Sequence, residues 1–201
     1  SQLIVWDDAT TTFNNLLNEQ WLFRLGIVSG LVCYTAFALL PLALYRLLSP
    51  VHERAARLMV VLALVSVPIS FVNLLNKMAV LSLTSGEAYL GALPKEQLIA
   101  QVMFYLNQYD NGILIVQIFW GLWLLPFGYL VFQSGFLPRA LGVLLMLGCV
   151  GYLINFLGFS LFPARYAELG IASLVRLPAS LGEIGACLWL LILGAKERTD
   201  H

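Results

Sequence analysis

The chain has 201 residues, of which 60% are hydrophobic and only 11% charged, with 11 Lys and Arg set against 11 Asp and Glu. An ordinary soluble domain carries about a quarter charged residues, so this composition excludes one. The even balance gives no basic surface for nucleic acid, and the absence of strand-like alternation argues against a membrane β-barrel.

The apolar runs are long enough to cross a bilayer as helices, which takes ~20 residues each. The expected fold is all-α, a polytopic transmembrane bundle forming one membrane domain. It has five spans and two short interfacial helices on the outer side. Residue 1 is Ser rather than Met, which points to processing or to a missing upstream segment. Residues 8–20 read as the first interfacial helix. Asp8 caps it, and Phe13, Leu16, Leu17 and Trp21 recur on one face.

The first span is 21–48, with Gly26 and Gly30 in a GxxxG spacing and Pro41 as a kink candidate. A short basic loop with Arg46, Arg54 and Arg57 leads to the second span, 55–83. Asn73, Asn76 and Lys77 share a face of its far half. After a loop at 84–94, residues 94–108 read as the second interfacial helix, with Leu98, Ile99, Val102, Met103 and Leu106 as its apolar stripe. The polar knot from Asn107 to Asn111 is expected to separate it from the third span, 112–133, which is crowded with the aromatics Trp120, Trp123, Phe127, Tyr129 and Phe132. The fourth span, 139–162, carries Gly142, Gly148, Gly151 and Gly158, read mainly as helix contacts. A loop leads to the fifth, 170–195.

That fifth helix holds Arg176, Ser180 and Glu183 on one face, with Glu183 at mid-span. A carboxylate at the centre of a membrane helix costs ~2.5–3.5 kcal/mol on insertion scales, so it is expected to face protein or a cavity rather than lipid. Lys77 is the best charge partner by depth, and Asn73 and Asn155 the best hydrogen-bond partners. Arg176 lies ~10 Å away along the axis at 1.5 Å per residue.

Arg24, Asn73, Asn76, Lys77, Asp110, Asn111, Gln117, Asn155 and Arg176 fall in the outer half of the spans, with Glu183 at the midplane, whereas the inner half lacks ionisable groups. This asymmetry suits an outward-facing pocket for a small polar or amphipathic ligand centred on Glu183. It does not suit a continuous pore, which needs polar lining at both depths. A proton-coupled role for Glu183 is a related reading.

Lys and Arg concentrate in the loops of one side, which places residues 1–20 outside and the C-terminus in the cytoplasm. An outside N-terminus implies an upstream span or signal. The three cysteines fall inside spans, His52 in a loop and His201 at the terminus, and no metal, cofactor or catalytic motif is recognisable. An intramembrane enzyme built on Glu183 would lack a nucleophile, a metal or a second buried acid. The alternative to a ligand-binding or transport-related bundle is a non-catalytic subunit of a larger complex. Its partners would be membrane lipid and other subunits meeting the Gly- and Trp-rich third and fourth spans.

A faint repeat is also visible. Arg57 precedes Asn73 by sixteen residues, as Arg139 precedes Asn155, and Leu40-Pro41 with Tyr45 echoes Leu125-Pro126 with Tyr129. The first two spans would then repeat as the third and fourth in parallel orientation.

Four blocks carry a resemblance. GILIVQIFWGLWLLPFGYLVFQSGFLPRALGVLL from Gly112, RLGIVSGL from Arg24, LALVSVPISFVNLLN from Leu62 and LPASLGE from Leu177 resemble a family of bacterial multi-pass membrane proteins defined only as a domain of unknown function. The resemblance implies a bacterial inner-membrane protein of a family with about six spans, the first of which, ahead of Leu3, this chain is expected to lack. It implies no activity. It also implies a His near Tyr109, which this chain lacks, so a metal or haem gains no support.

Overall fold

The computed structural model describes residues 3–194. Ser1, Lys196, Arg198, His201 and the expected end of the fifth span at 195 lie outside the described residues. The elements are α1 (Ala9–Asn18), α2 (Gln20–Leu48), α3 (Glu53–Leu83), a 3₁₀ turn (Ala88–Ala92), α4 (Lys95–Leu122), α5 (Leu124–Ser134), α6 (Arg139–Leu161), α7 (Pro163–Leu169) and α8 (Ala172–Leu193). Among the described residues no strand occurs. Among the described residues five helical stretches are long and apolar enough to cross a membrane: α2, α3, the run from Lys95 to Ser134, α6 and α8. The protein is an all-α helical bundle of the membrane type.

Two boundaries differ from expectation, and both have local causes. The polar knot does not interrupt the chain, because α4 continues through it. Asn111 Nδ2 donates to Asn107 Oδ1 at 2.9 Å, an i,i+4 side-chain bond that supports the helix. Residues 94–108 are therefore the first part of a long helix rather than a separate interfacial one. The interruption comes instead at Trp123, between α4 and α5. Pro126 has no N–H for the carbonyl of Leu122 and its ring crowds that carbonyl. The segment read as a loop after α6 contains α7, which starts on Pro163 and ends on Gly170 at φ +62°. Pro at the first position and a left-handed Gly past the last are the ordinary ends of a helix.

By its contacts the chain forms two compact units. The first comprises the described part of Ser1–Ala36 with Val67–Ile113. Its core joins Phe13 and Leu16 of α1, Phe23 and Ile27 of α2, Val80 and Leu81 of α3, and Val102 and Leu106 of α4. The stripe read on residues 98–106 faces this core, whereas Leu17 and Trp21 are exposed, so only half of the stripe on α1 is buried. Asp8 caps α1: its Oδ1 accepts from the Thr11 backbone N–H at 2.9 Å and its Oδ2 from the Thr11 hydroxyl at 2.6 Å. The Gln20 side chain donates to the Thr84 carbonyl at 2.9 Å, joining the start of α2 to the end of α3.

The second unit comprises Phe37–Ser66 with the described part of Leu114–His201. Leu48, Met59, Leu124, Leu130 and Leu145 are among its fully buried side chains. In it α6 packs closely on α5 and on α8 through glycines. A Cβ on Gly142 would stand 2.6 Å from the Gly128 carbonyl oxygen, one on Gly148 2.6 Å from the Ala179 Cα, and one on Gly151 2.2 Å from the Val175 carbonyl oxygen. Trp123 stacks on Phe127 with centroids 5.2 Å apart and meets Phe37 edge-on at 5.4 Å. Its indole N–H is buried without an acceptor among the described residues.

Two predictions follow from this packing and capping. Gly151→Ala should destabilise the purified protein by about 1–3 kcal/mol, the range for overpacking a tight contact. Gly26→Ala, where a Cβ meets nothing within 4 Å, should be neutral or slightly stabilising. Thermal unfolding in detergent distinguishes the two.

Hydrogen bonds from Thr11 hold the Asp8 carboxyl below its ordinary pKa. The cap is therefore at full strength above about pH 4, where an unfolded Asp is also ionised, and is lost as pH falls through the lower folded value. Protection of the Thr11 amide from hydrogen exchange should fall on that acidification, and it should be independent of pH in Asp8→Asn.

Candidate functional site

The ten polar residues singled out in the sequence divide equally between the units. Arg24, Asn73, Asn76, Lys77 and Asp110 belong to the first. Gln117, Asn155, Arg176, Ser180 and Glu183 belong to the second.

In the first unit Asn73 is the organising residue. It is buried on α3, and its Nδ2 donates to the Tyr109 backbone carbonyl on α4 at 2.9 Å. Its Oδ1 accepts from Asn76 Nδ2 at 3.0 Å. Gly112 makes this contact possible, because a Cβ there would lie 2.0 Å from Asn73 Oδ1. Lys77 sits with its Nζ 4.0 Å from the centroid of the Tyr109 ring, within cation–π range. The Tyr109 and Tyr34 hydroxyls are 3.5 Å apart. Asp110 is exposed and lies within electrostatic reach of Lys77, but the two form no direct ion pair among the described residues. Arg24 is exposed near the start of α2, where its Nη2 donates to Gln20 Oε1 at 3.3 Å.

In the second unit Asn155 plays the corresponding part. It is 1% exposed on α6, and its Nδ2 donates to the Ala172 carbonyl at the start of α8 at 3.1 Å. Its Oδ1 accepts from the hydroxyl of Tyr166 on α7. Asn73 and Asn155, the residues of the sequence repeat, thus make the same kind of bond. Each ties its helix to a backbone carbonyl of another and accepts from a neighbouring side chain. Within the second unit, Asn155 was expected to bond Glu183, and it bonds Ala172 and Tyr166 instead.

Arg176 turns back on its own helix, with Nε donating to the Ala172 carbonyl at 3.4 Å. Ser180 is exposed and Gln117 half-buried. Glu183 is half-buried on α8, next to the buried Gly182 and one turn from Ala179 and Ala186. Among the described residues it makes neither a hydrogen bond nor an ion pair. Tyr152 on α6 is within electrostatic reach of both Glu183 and Arg176.

Sequence reading missed several contributors. Tyr166 lay in a segment taken for a loop, although the Pro163 and Gly170 boundaries were available to mark a helix. Tyr109 falls inside the polar knot and Gly112 at the expected start of the third span, and neither position marks the Asn73 contact. His52 precedes α3, and its Nδ1 accepts from the Ala55 N–H at 3.2 Å while the ring meets Tyr129 edge-on. Among the described residues no group of three or more His, Cys, Asp or Glu is placed to hold a metal ion, and the three cysteines are free.

Five apolar helical stretches, close glycine contacts and buried amides bonded between helices define a multi-pass α-helical membrane protein. More particularly, the chain belongs to the family of the domain of unknown function DUF4386, which its residues 1–194 match. It is similar to an uncharacterised protein of Archaeoglobus fulgidus, with 35% identity over 80 residues, 39% of this chain and 44% of that protein. The chain thus matches less than half the length of this relative. The relative is archaeal, so the similarity is not confined to bacteria. No solved structure matches the chain.

The two asparagine ties should be separable by mutation. In a double-mutant cycle, Asn155→Ala and Tyr166→Phe should couple by about 0.6 kcal/mol, with ~1.7 as the upper limit for interhelical hydrogen bonds. Gly112→Ala should destabilise the first unit more than Asn73→Ala, since it displaces the amide and adds a clash. Unfolding of each variant in detergent measures both effects.

Proposed function

We propose that the chain is a ligand-binding or transport-related membrane bundle in which Glu183 meets the ligand. One observation carries this reading: a carboxyl in the middle of a membrane helix has no hydrogen bond and no ion pair among the described residues. Such a group costs ~2.5–3.5 kcal/mol to insert. Packing does not call for it, because its inward neighbours on α8 are the small residues Ala179, Gly182 and Ala186. The acid therefore has a chemical use rather than a structural one. It accepts hydrogen bonds from, and balances the charge of, a small polar or amphipathic ligand with a cationic end, or it carries a proton. Arg176, Ser180 and Gln117 are the further ligand-facing candidates of this unit. Asn155 acts at one remove, by fixing the start of α8.

The alternative, a non-catalytic subunit of a larger assembly, has less behind it. Gly142, Gly148 and Gly151, which the sequence offered to partner helices, meet neighbours in their own unit. The Lys and Arg distribution supports a plasma-membrane protein with residues 1–20 outside and the C-terminus in the cytoplasm.

The test is a comparison of Glu183→Gln with the unsubstituted protein by thermal unfolding in detergent, over a panel of small amines and amino acids. A ligand present at 100 times its dissociation constant adds about 2.7 kcal/mol to stability, so binding raises the melting temperature readily. At least one compound should stabilise the unsubstituted protein and leave Glu183→Gln unmoved, while the ligand-free melting temperatures agree. Equal shifts in both proteins would remove Glu183 from the site.

A further inference from the structure

A cleft of about 270 Å³ in the first unit is lined by Arg24, Met78, Leu81, Ser82, Ser85, Glu87 and Tyr89. Its lining residues all belong to the first unit, and its size is just below the ~300 Å³ at which ordinary ligand sites begin. Its charges are placed by neighbours. Gln20 donates to the Thr84 carbonyl at 2.9 Å and accepts from Arg24 at 3.3 Å, so one side chain both joins α2 to the end of α3 and holds the guanidinium at the cleft. On the other side Gly86, at φ +73°, turns the chain, and buried Leu90 anchors the 3₁₀ turn that follows Glu87 and contains Tyr89. The Glu87 carboxylate forms no ion pair and no hydrogen bond among the described residues.

The two hydroxyls have a fixed sense. Ser82 donates its proton to the Met78 carbonyl at 3.2 Å, and Ser85 donates to the Ser82 carbonyl at 2.7 Å. Both oxygens therefore offer the cleft lone pairs only. With the Glu87 carboxylate they make an acceptor set suited to a group with several N–H bonds, namely a primary ammonium. Arg24 is a donor-only fork suited to a phosphate. Met78, Leu81 and the Tyr89 ring supply apolar contact between them. The location fits as well. Arg24 is four residues into α2, ~6 Å along its axis, and the neighbouring aromatics Trp21 and Tyr89 are 75% and 68% exposed. Exposed Trp and Tyr at the end of a span mark the headgroup level of a bilayer.

We propose that this cleft binds a zwitterionic phosphate–amine, ethanolamine phosphate in its simplest form, with the phosphate on Arg24 and the ammonium on Glu87, Ser82 and Ser85. The same chemistry is offered by the headgroup of phosphatidylethanolamine and by free phosphoethanolamine.

Native mass spectrometry of the purified full chain with equal amounts of phosphatidylethanolamine and phosphatidylglycerol tests this. The unsubstituted protein should retain the ethanolamine lipid roughly two- to fivefold better, the range expected of an exposed ion pair. Glu87→Gln should erase that preference while leaving retention of phosphatidylglycerol unchanged, and Glu87→Lys should reverse it. Arg24→Gln should weaken retention of both lipids. Excess free phosphoethanolamine distinguishes the sources. Displacement of the bound lipid identifies the small molecule as a sufficient ligand, absence of displacement identifies the membrane headgroup, and either result keeps the site. Equal retention of the two lipids by the unsubstituted protein, or a preference that survives Glu87→Gln, overturns the proposal.

Discussion

Hydrocarbon tails solvate a leucine-rich helix as well as another such helix does, so burial of apolar surface does not hold membrane helices together. What remains is close packing and polar contacts between backbones. In the second unit this constraint is met along α6. Gly142 lies against the Gly128 carbonyl, Gly148 against Ala179 and Gly151 against the Val175 carbonyl. No side chain larger than hydrogen fits at these points. The position of α8 follows from them, and with it the position of Glu183. An apolar helix without these glycines would keep its place in the bilayer and lose its registration against its neighbours.

Polar ties complete what the glycines begin. Asn73 and Asn155 each bond a backbone carbonyl on another helix, and each is buried. An amide offers both donor and acceptor, so one side chain satisfies a carbonyl and also receives a bond from Asn76 or Tyr166. The similarity extends the repeat seen in the sequence from spacing to chemistry. Glu183 differs from these amides in that its carboxyl has no hydrogen bond or ion pair among the described residues.

Much of the fold was legible. Four of the five spans agree with the helices to within two or three residues among the described ones, because ~20 consecutive apolar residues with few charges have little other use. The third differed because Asn, Gln and Asp look like a loop when read singly, whereas Asn107 and Asn111 bond each other along the helix and Gly112 serves a close approach rather than a turn. Helix α7 was hidden by its shortness. The candidate site was legible only in part. Facial spacing found Asn73, Asn76 and Lys77 together. The partners of Asn73 and Asn155 are main-chain atoms 36 and 17 residues away, and a carbonyl carries no residue signature. The Arg24 cleft combines α2, the end of α3 and a turn, and no contiguous pattern announces such a combination.

The helices fall into two length classes. With 29 and 31 residues, α2 and α3 reach about 45 Å, whereas α6 and α8, with 23 and 22, reach about 34 Å. The shorter pair suits a hydrocarbon layer of ~30 Å and the longer pair exceeds it by ~15 Å, roughly three helical turns, an excess to be met by tilt or by emergence into the headgroup layer. Bilayer thickness is therefore a mechanical variable for this protein. A thicker membrane favours the long helices upright and strains the short ones, and a thinner one does the reverse.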